Sequence, residues 1–311
     1  MKAIALKTAG GTEQLEYIET EKPEIQNDEV LIKVRAISIN PVDVKSRNGK
    51  GMYGKLKEEN PLILGWDVSG IVEESKSETF TTGDEVFGMV NFPGHGKAYA
   101  EYVAAPADQL ALKPENISFE EAAASTLVAL TAWQALVKNA DVQKGQHVLI
   151  HAAAGGVGHM AVQIAKHSGA TVTGTSSLKN KDFVLGLGAD KHIDYQSFDW
   201  KSALKEFDFV LDTIGGGTID DSLEVTKAGG TIISLPTGLN EEVTAKAAAK
   251  GVEGYPIMVQ SDGDDMKQIA RLLETGALKP HISKIFPFEQ MREAHLKQET
   301  GRTVGKIVVI L

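Results

Sequence analysis

Residues 147–158, HVLIHAAAGGVG, constrain the fold of this chain more than any other stretch. Val148, Leu149 and Ile150 form a short β-branched and aliphatic run, the pattern of a strand buried on both faces of a parallel sheet. Ala153, Gly155, Gly156 and Gly158 supply the turn that follows. With side chains small or absent, the backbone there can approach a pyrophosphate. A helix opening at Val157 and running toward His167 aims its N-terminal N–H groups at the anion. The dinucleotide fingerprint is G-x-G-x-x-G, and here Ala153 stands in place of its first glycine. A glycine cluster alone fits an ordinary strand-to-helix turn equally well, so the neighbouring segments decide.

Residues 170–177, ATVTGTSS, alternate Thr and Val as an extended backbone prefers, and complete a βαβ unit. At the end of such a second strand an NAD-specific fold carries an Asp or Glu for the ribose 2′-hydroxyl. This chain has Ser176 and Ser177 there, followed by Lys179, Asn180 and Lys181. Hydroxyls and positive charge without a carboxylate suit a 2′-phosphate, so the sequence points to NADP(H) over NAD(H).

Composition narrows the chemistry. The chain of 311 residues has no cysteine, which excludes disulfides, zinc-thiolate sites, iron–sulfur clusters and thiol nucleophiles. A formal charge of -10 opposes binding to nucleic acid or an anionic membrane surface. No run of about eighteen apolar residues and no sustained signal-peptide core occur, so the expected location is cytoplasmic, with no membrane partner.

Upstream, the chain reads as a small twisted β domain. Residues 1–20 resemble a hairpin, residues 29–39 (EVLIKVRAISI) alternate as a strand, and Pro41 and Asp43 begin a short helix or turn. Further strands are expected at residues 64–72, after the turn at Gly83, and at residues 98–103. Downstream, a helix is expected over residues 122–138, apolar strands over 207–211 and 230–235, and helices over 222–227 and 266–275.

Five motifs occur in order: N-P-x-D at residues 40–43, G-x-D-x-x-G at 65–70, G-D-x-V at 83–86, A-Y-A-E-Y at 98–102 and A-A-x-G-G-V-G at 152–158. With the closing residues 278–308, they make the whole chain resemble the zinc-independent NADPH:quinone oxidoreductases among the medium-chain dehydrogenases/reductases. The resemblance implies an α/β protein, a Rossmann doubly wound parallel sheet domain plus a GroES-like β domain. The β domain would be split over residues 1–117 and 279–311, the nucleotide domain would span 118–278, and the active site would lie between them at the carboxyl edge of the sheet. Zinc alcohol dehydrogenases of the larger family place a cysteine near Asn40, a His-Glu pair near Trp66 and Asp67, and a four-cysteine lobe. None of these is present, and the eight histidines read as packed or surface residues, so no metal is expected.

Without a metal, hydride passes to an acceptor whose own π system holds the charge, a quinone or related conjugated carbonyl. A 2-alkenal, enone or enoyl reductase, or a non-enzymatic NADPH-binding sensor, is the alternative. By resemblance, Asn40 would sit beside nicotinamide and substrate, and Thr126 or Thr131 at the nicotinamide end; a turn residue and helix packing are the plain readings of the same side chains. Tyr53 reads either as proton donor or as a loop aromatic, since some relatives carry a tyrosine where this chain has Lys45. Tyr195 matches a position that helps hold the adenosine phosphate. Gly215 and Leu235 follow apolar strands where the backbone passes the cofactor. The expected partners are a small quinone or enone and a second copy of the chain, a homodimer pairing through an edge strand near residues 255–260.

Overall fold

The structure is a computed structural model that describes residues 1–311. The chain forms two compact units, the first of Met1–Leu130 with Val259–Leu311 and the second of Thr131–Met258.

The first unit begins with strands β1 (Lys2–Leu6) and β2 (Leu15–Glu19), paired antiparallel as the hairpin expectation required. The long alternating segment is β3 (Glu29–Ile39), followed by helices α1 (Pro41–Arg47) and α2 (Tyr53–Leu56). Asp43 accepts the Asn40 N–H at 2.6 Å, so the acidic residue closes the first turn of α1 that Pro41 opens. Strands β4 (Asp67–Ser75), β5 (Glu85–Met89), β6 (Tyr102–Pro106) and β7 (Leu110–Leu112) follow. β3 pairs with both β4 and β6, and two register shifts against β4 bend it. Only Lys33 and Arg35 along β3 are exposed, because a strand flanked on both edges and covered on both faces buries almost every side chain.

Where a single helix over residues 122–138 was expected, the structure breaks it. Helix α3 (Phe119–Ala123) is capped reciprocally by Ser118 and Glu121, and α4 (Thr126–Trp133) starts anew. The hydroxyls of Ser125 and Thr126 donate to the carbonyls of Glu121 and Ala123, competing with the backbone ladder at the break. A π-helical turn, Gln134–Asn139, closes the segment.

The second unit alternates strand and helix: β8 (His147–Ile150), α5 (Gly156–His167), β9 (Thr171–Ser176), α6 (Lys181–Gly186), β10 (Lys191–Asp194), β11 (Phe207–Asp212), α7 (Gly217–Val225), β12 (Thr226–Ser234), α8 (Val243–Ala248) and β13 (Glu253–Pro256). Helix α7 begins five residues before the expected start at 222 and ends at Val225, where Thr226 donates to Ser222 O at 2.7 Å and the β-branched strand takes over. The six strands are all parallel, in the order β10-β9-β8-β11-β12-β13. Leu149, Val210 and Ile232 of the sheet pack with Ile219 and Leu223 of α7 and Val243 of α8. Burying each such side chain contributes roughly 1.5–3 kcal/mol.

The chain returns to the first unit with α9 (Gly263–Glu274), β14 (Ile282–Pro287), α10 (Met291–Glu299) and β15 (Lys306–Ile310). β15 adds antiparallel to β3 and completes a sheet ordered β14-β15-β3-β4-β5-β7. No helix is long and apolar enough to cross a membrane.

Candidate functional site

The strand order of the second unit reverses between β8 and β11, so the crevice beyond their carboxyl ends is the natural ligand site of such a sheet. The turn after β8 occupies it. A Cβ on Gly158 would collide with the carbonyl of Ala152 and lie 2.8 Å from Ala153 Cα, so only glycine lets α5 start this close to the strand. Ala153, which replaces the first fingerprint glycine, is fully buried, and room for its methyl comes from Gly174 on β9, where a Cβ would lie 2.8 Å from that of Ala153. Gly155, Gly156 and Val157 are half-buried and open the first turn of the twelve-residue α5. These residues fit a dinucleotide pyrophosphate: Gly155 donates its N–H to Ala152 O at 2.8 Å and closes the turn, and Gly156 and Val157 present the first backbone N–H groups of the helix.

Six further residues selected for the cofactor reach the same sheet edge, whereas Thr126 and Thr131 lie on α4. Ser176 ends β9 and Ser177 follows it, Lys179 lies in the turn beyond, Tyr195 follows β10, Gly215 follows β11 and Leu235 follows β12. Lys179 and Tyr195 are exposed, and no carboxylate stands at the end of β9.

Two residues that sequence reasoning passed over build this edge. Asp212, fully buried, accepts the N–H groups of Ile214 and Gly215 at 3.0 Å and the hydroxyls of Thr218 at 2.9 Å and Ser234 at 2.8 Å. It thereby folds the loop in which Gly215 takes φ +75° against Leu239. His151 ties the turn to α7: Ser222 Oγ gives its proton to Thr218 O, so it accepts from Nε2 of His151 at 3.1 Å. Nδ1 then accepts from Thr175 Oγ1 at 3.3 Å, and that oxygen accepts the Ala152 N–H. Burial pushes His151 down to about 4, against the pull of Asp212, so the imidazole is neutral in this chain of bonds. Asp212 had a signal, a carboxylate closing the apolar run FDFVLD; His151 had none that separated it from a packed histidine.

The first unit holds Asn40, Tyr53 and Thr126. Asn40 is fully buried, its Nδ2 donating to Asp67 at 2.8 Å and its Oδ1 accepting from Lys306 Nζ. Asp67 also accepts from Ser38 Oγ at 2.6 Å and from the Leu127 N–H at 3.0 Å, and Lys306 Nζ lies 3.6 Å from its Oδ2. Asn40 therefore has no accessible atom with which to touch a substrate. Burial lowers Lys306, with Asp67 and Asp43 opposing, and raises Asp43 to about 8, with Asp67 adding to the rise. A second string runs Arg47–His295–Tyr99–Asp43: Arg47 donates to Nδ1 of His295, Nε2 donates to Tyr99 Oη at 2.9 Å, and Tyr99 faces Asp43. Arg47 also pairs with Glu299. Tyr53 stands apart from this network. No hydrogen bond is made by its hydroxyl, and the residue lines a groove of about 470 Å³ with Glu16, Lys57 and Asn60. Thr126 is buried and bonded to Ala123 O; Thr131, also buried, begins the second unit.

Comparison with known proteins matches this architecture. Residues 26–115 match the alcohol dehydrogenase GroES-like domain, and residues 187–309 the zinc-binding dehydrogenase family model. The 2-methylene-furan-3-one reductase of Solanum lycopersicum is 36% identical over 92% of this chain and 73% of its own. The NADPH-dependent alkenal/one oxidoreductase, chloroplastic, of Arabidopsis thaliana is 35% identical over 99% of this chain and 79% of its own. Among solved structures, the quinone oxidoreductase from Coxiella burnetii superposes with a TM-score of 0.94 at 38% identity, covering 100% of this chain and 99% of that one. The chain belongs to the quinone and alkenal oxidoreductases of the medium-chain dehydrogenase/reductase superfamily, with a GroES-like domain and a Rossmann-like parallel sheet.

Proposed function

We propose that this protein is an NADPH-dependent reductase that passes hydride, without a metal, to a quinone or a related conjugated carbonyl. The observation that carries the reading is the edge of the parallel sheet: an unobstructed turn at residues 152–158 beside Ser176, Ser177 and Lys179, with no carboxylate at the end of β9. The turn takes the pyrophosphate, and the serines and lysine take the 2′-phosphate. Tyr195, Gly215 and Leu235 border the adenosine and ribose, and Thr126 or Thr131 the nicotinamide.

NADPH supplies a hydride when bound; this chain's residues supply position and a proton. For an enone, hydride adds to the β-carbon and a proton to the α-carbon; a quinone takes hydride and proton to become the hydroquinone. Tyr53, with its unpaired hydroxyl, is the proposed proton donor. Asn40 acts indirectly, by holding the register of α1 against Asp67 and Lys306. A metal-free reaction is supported by the absence of cysteine and of any convergence of three His, Asp or Glu side chains, and by Lys306 placing its own cationic group between Asn40 and Asp67.

The alkenal and enone reading rests on the two plant relatives named above, and an acceptor panel separates it from the quinone reading. Chelator-treated protein is given NADPH with ortho-quinones, para-quinones and short 2-alkenals in parallel. Turnover without metal is expected, and the fastest acceptor names the substrate class. Tight NADPH binding with no consumption for any acceptor would overturn the enzyme reading in favour of a sensor. We also propose a homodimer, because β13 leaves one edge of the six-stranded sheet open to a second copy, and keep the cytoplasmic location as a proposal from the sequence. A monomer by light scattering at working concentration would refute the dimer.

A further inference from the structure

His192 stands on β10 opposite Gly174 of β9, and its Nε2 lies 2.8 Å from Ser176 Oγ. Ser176 is 5% exposed and has one proton to give, either to that nitrogen or to the carbonyl of Ser177 at 3.1 Å. The imidazole is itself half-buried at the sheet edge where Ser177 and Lys179 lie. The charged groups acting on it are Lys181 from α6 and Asp194 from its own strand; β9 has no charged side chain to offer it. Burial and Lys181 hold the ring below its ordinary value, and Asp194 works the other way.

We propose that His192 is a proton-linked specificity residue for the 2′-phosphate of NADPH, taking up a proton from solvent when that phosphate is bound beside Ser176. The inference rests on the NADPH reading above. Its chemistry follows from the hydrogen bond. Nε2 accepts the Ser176 proton in one neutral tautomer and donates to Ser176 Oγ in the other; the protonated ring can only donate, which leaves the serine proton to the Ser177 carbonyl or to an anion. A dianionic phosphate nearby favours the charged imidazole, whereas NADH brings no such charge. Protonation thus adds positive charge beside Ser176 and bars the serine proton from the ring, and that charge is wasted on NADH.

The test is calorimetry of NADPH and NADH binding to the wild type and to His192→Gln, in two buffers of different protonation enthalpy. The glutamine keeps a polar partner for Ser176 but does not titrate. The phosphate's own ionisation is common to both proteins, so the difference between them isolates His192. We expect the wild type to take up several tenths of a proton more than the variant with NADPH, and no more with NADH. The NADPH:NADH affinity ratio should be about tenfold higher in the wild type near pH 6, with the gap closing as pH rises, as a charge-assisted bond would give. Equal proton uptake and equal ratios in the two proteins, with NADPH still preferred, would overturn the role of His192 alone. Equal affinity of the wild type for NADPH and NADH at every pH would overturn the NADPH reading and this inference with it. Should the glutamine variant fail to fold, the His192 ring followed by NMR in the wild type decides: gain of a proton on adding NADPH and none on adding NADH is expected, and no change with either would overturn the role of His192.

Discussion

In the first unit Asp43, Asp67, Lys306, Arg47 and His295 are all buried and bonded within a single network, while at the carboxyl edge of the second unit Lys179 and Tyr195 face solvent. Strongly perturbed ionisation is usually taken to mark a reactive site. Here Asp43 at about 8 and His295 at about 3, both shifted foremost by burial, belong to a network with no accessible Asn40 atom. The ligand edge has a shifted group too, His151 in its support, but what marks it is bare backbone, small side chains and a missing carboxylate. Burial moves the titration of groups that hold the fold together; binding an anion asks for donors that still have bonds to give.

The sharpest way to break this contrast is to remove the buried cation. Lys306→Met leaves Asp67 and Asn40 without their partner and should cost about 3–5 kcal/mol of stability, read as a lower denaturant midpoint. A midpoint within error of the wild type would mean the network contributes little. Next, Asp212→Ala strips four hydrogen-bonded groups of their acceptor and should cost roughly 2–3 kcal/mol, together with weaker NADPH binding as the Gly215 loop opens. Loss of stability with unchanged NADPH affinity would separate that loop from the cofactor.

The third effect is pH-dependent. His151 is held near 4 when folded against an ordinary 6.5, so its contribution is complete above about 6.5 and is lost as pH falls toward 4. Between pH 7 and pH 5 the wild type should therefore lose about 2 kcal/mol relative to His151→Asn. Taking that difference matters, because Asp43, shifted upward, gains stability over the same fall in pH in both proteins. Parallel stability curves would show that His151 does not titrate as its burial requires. The smallest effect is at the open edge: Lys179→Glu should lower the NADPH:NADH affinity ratio by about tenfold with the melting temperature nearly unchanged, since an exposed lysine carries little fold energy.

Much of the second unit was legible because its signals are local. The run Val148–Leu149–Ile150, the glycines after it and the alternating Thr and Val of β9 each act within a few residues. The parallel sheet then follows from the alternation of strand and crossover segment, since parallel neighbours cannot be joined by a tight hairpin. The long helix expected over residues 122–138 was not legible as two pieces, because its break depends on which carbonyls the Ser125 and Thr126 hydroxyls choose. Lys306 was invisible for a different reason: it meets Asn40 across 266 residues of sequence, and nothing in GRTVGKIVV says that its lysine turns inward. His192 likewise gains its meaning only when β10 lies down beside β9 and brings it to Ser176. Patterns of a few residues announce strands, turns and helix starts; partners joined by the fold do not announce themselves.

The most direct test is an NADPH titration of the chelator-treated wild type beside Gly158→Val and Lys306→Met, each at a temperature where it is folded. The turn at residues 152–158 should carry the binding, so Gly158→Val should lose about 100-fold or more in affinity, roughly 2.7 kcal/mol, while Lys306→Met stays within about threefold of the wild type. The reverse outcome, a tight-binding Gly158→Val and a Lys306→Met that no longer binds, would contradict the account by placing the cofactor against the buried network of the first unit.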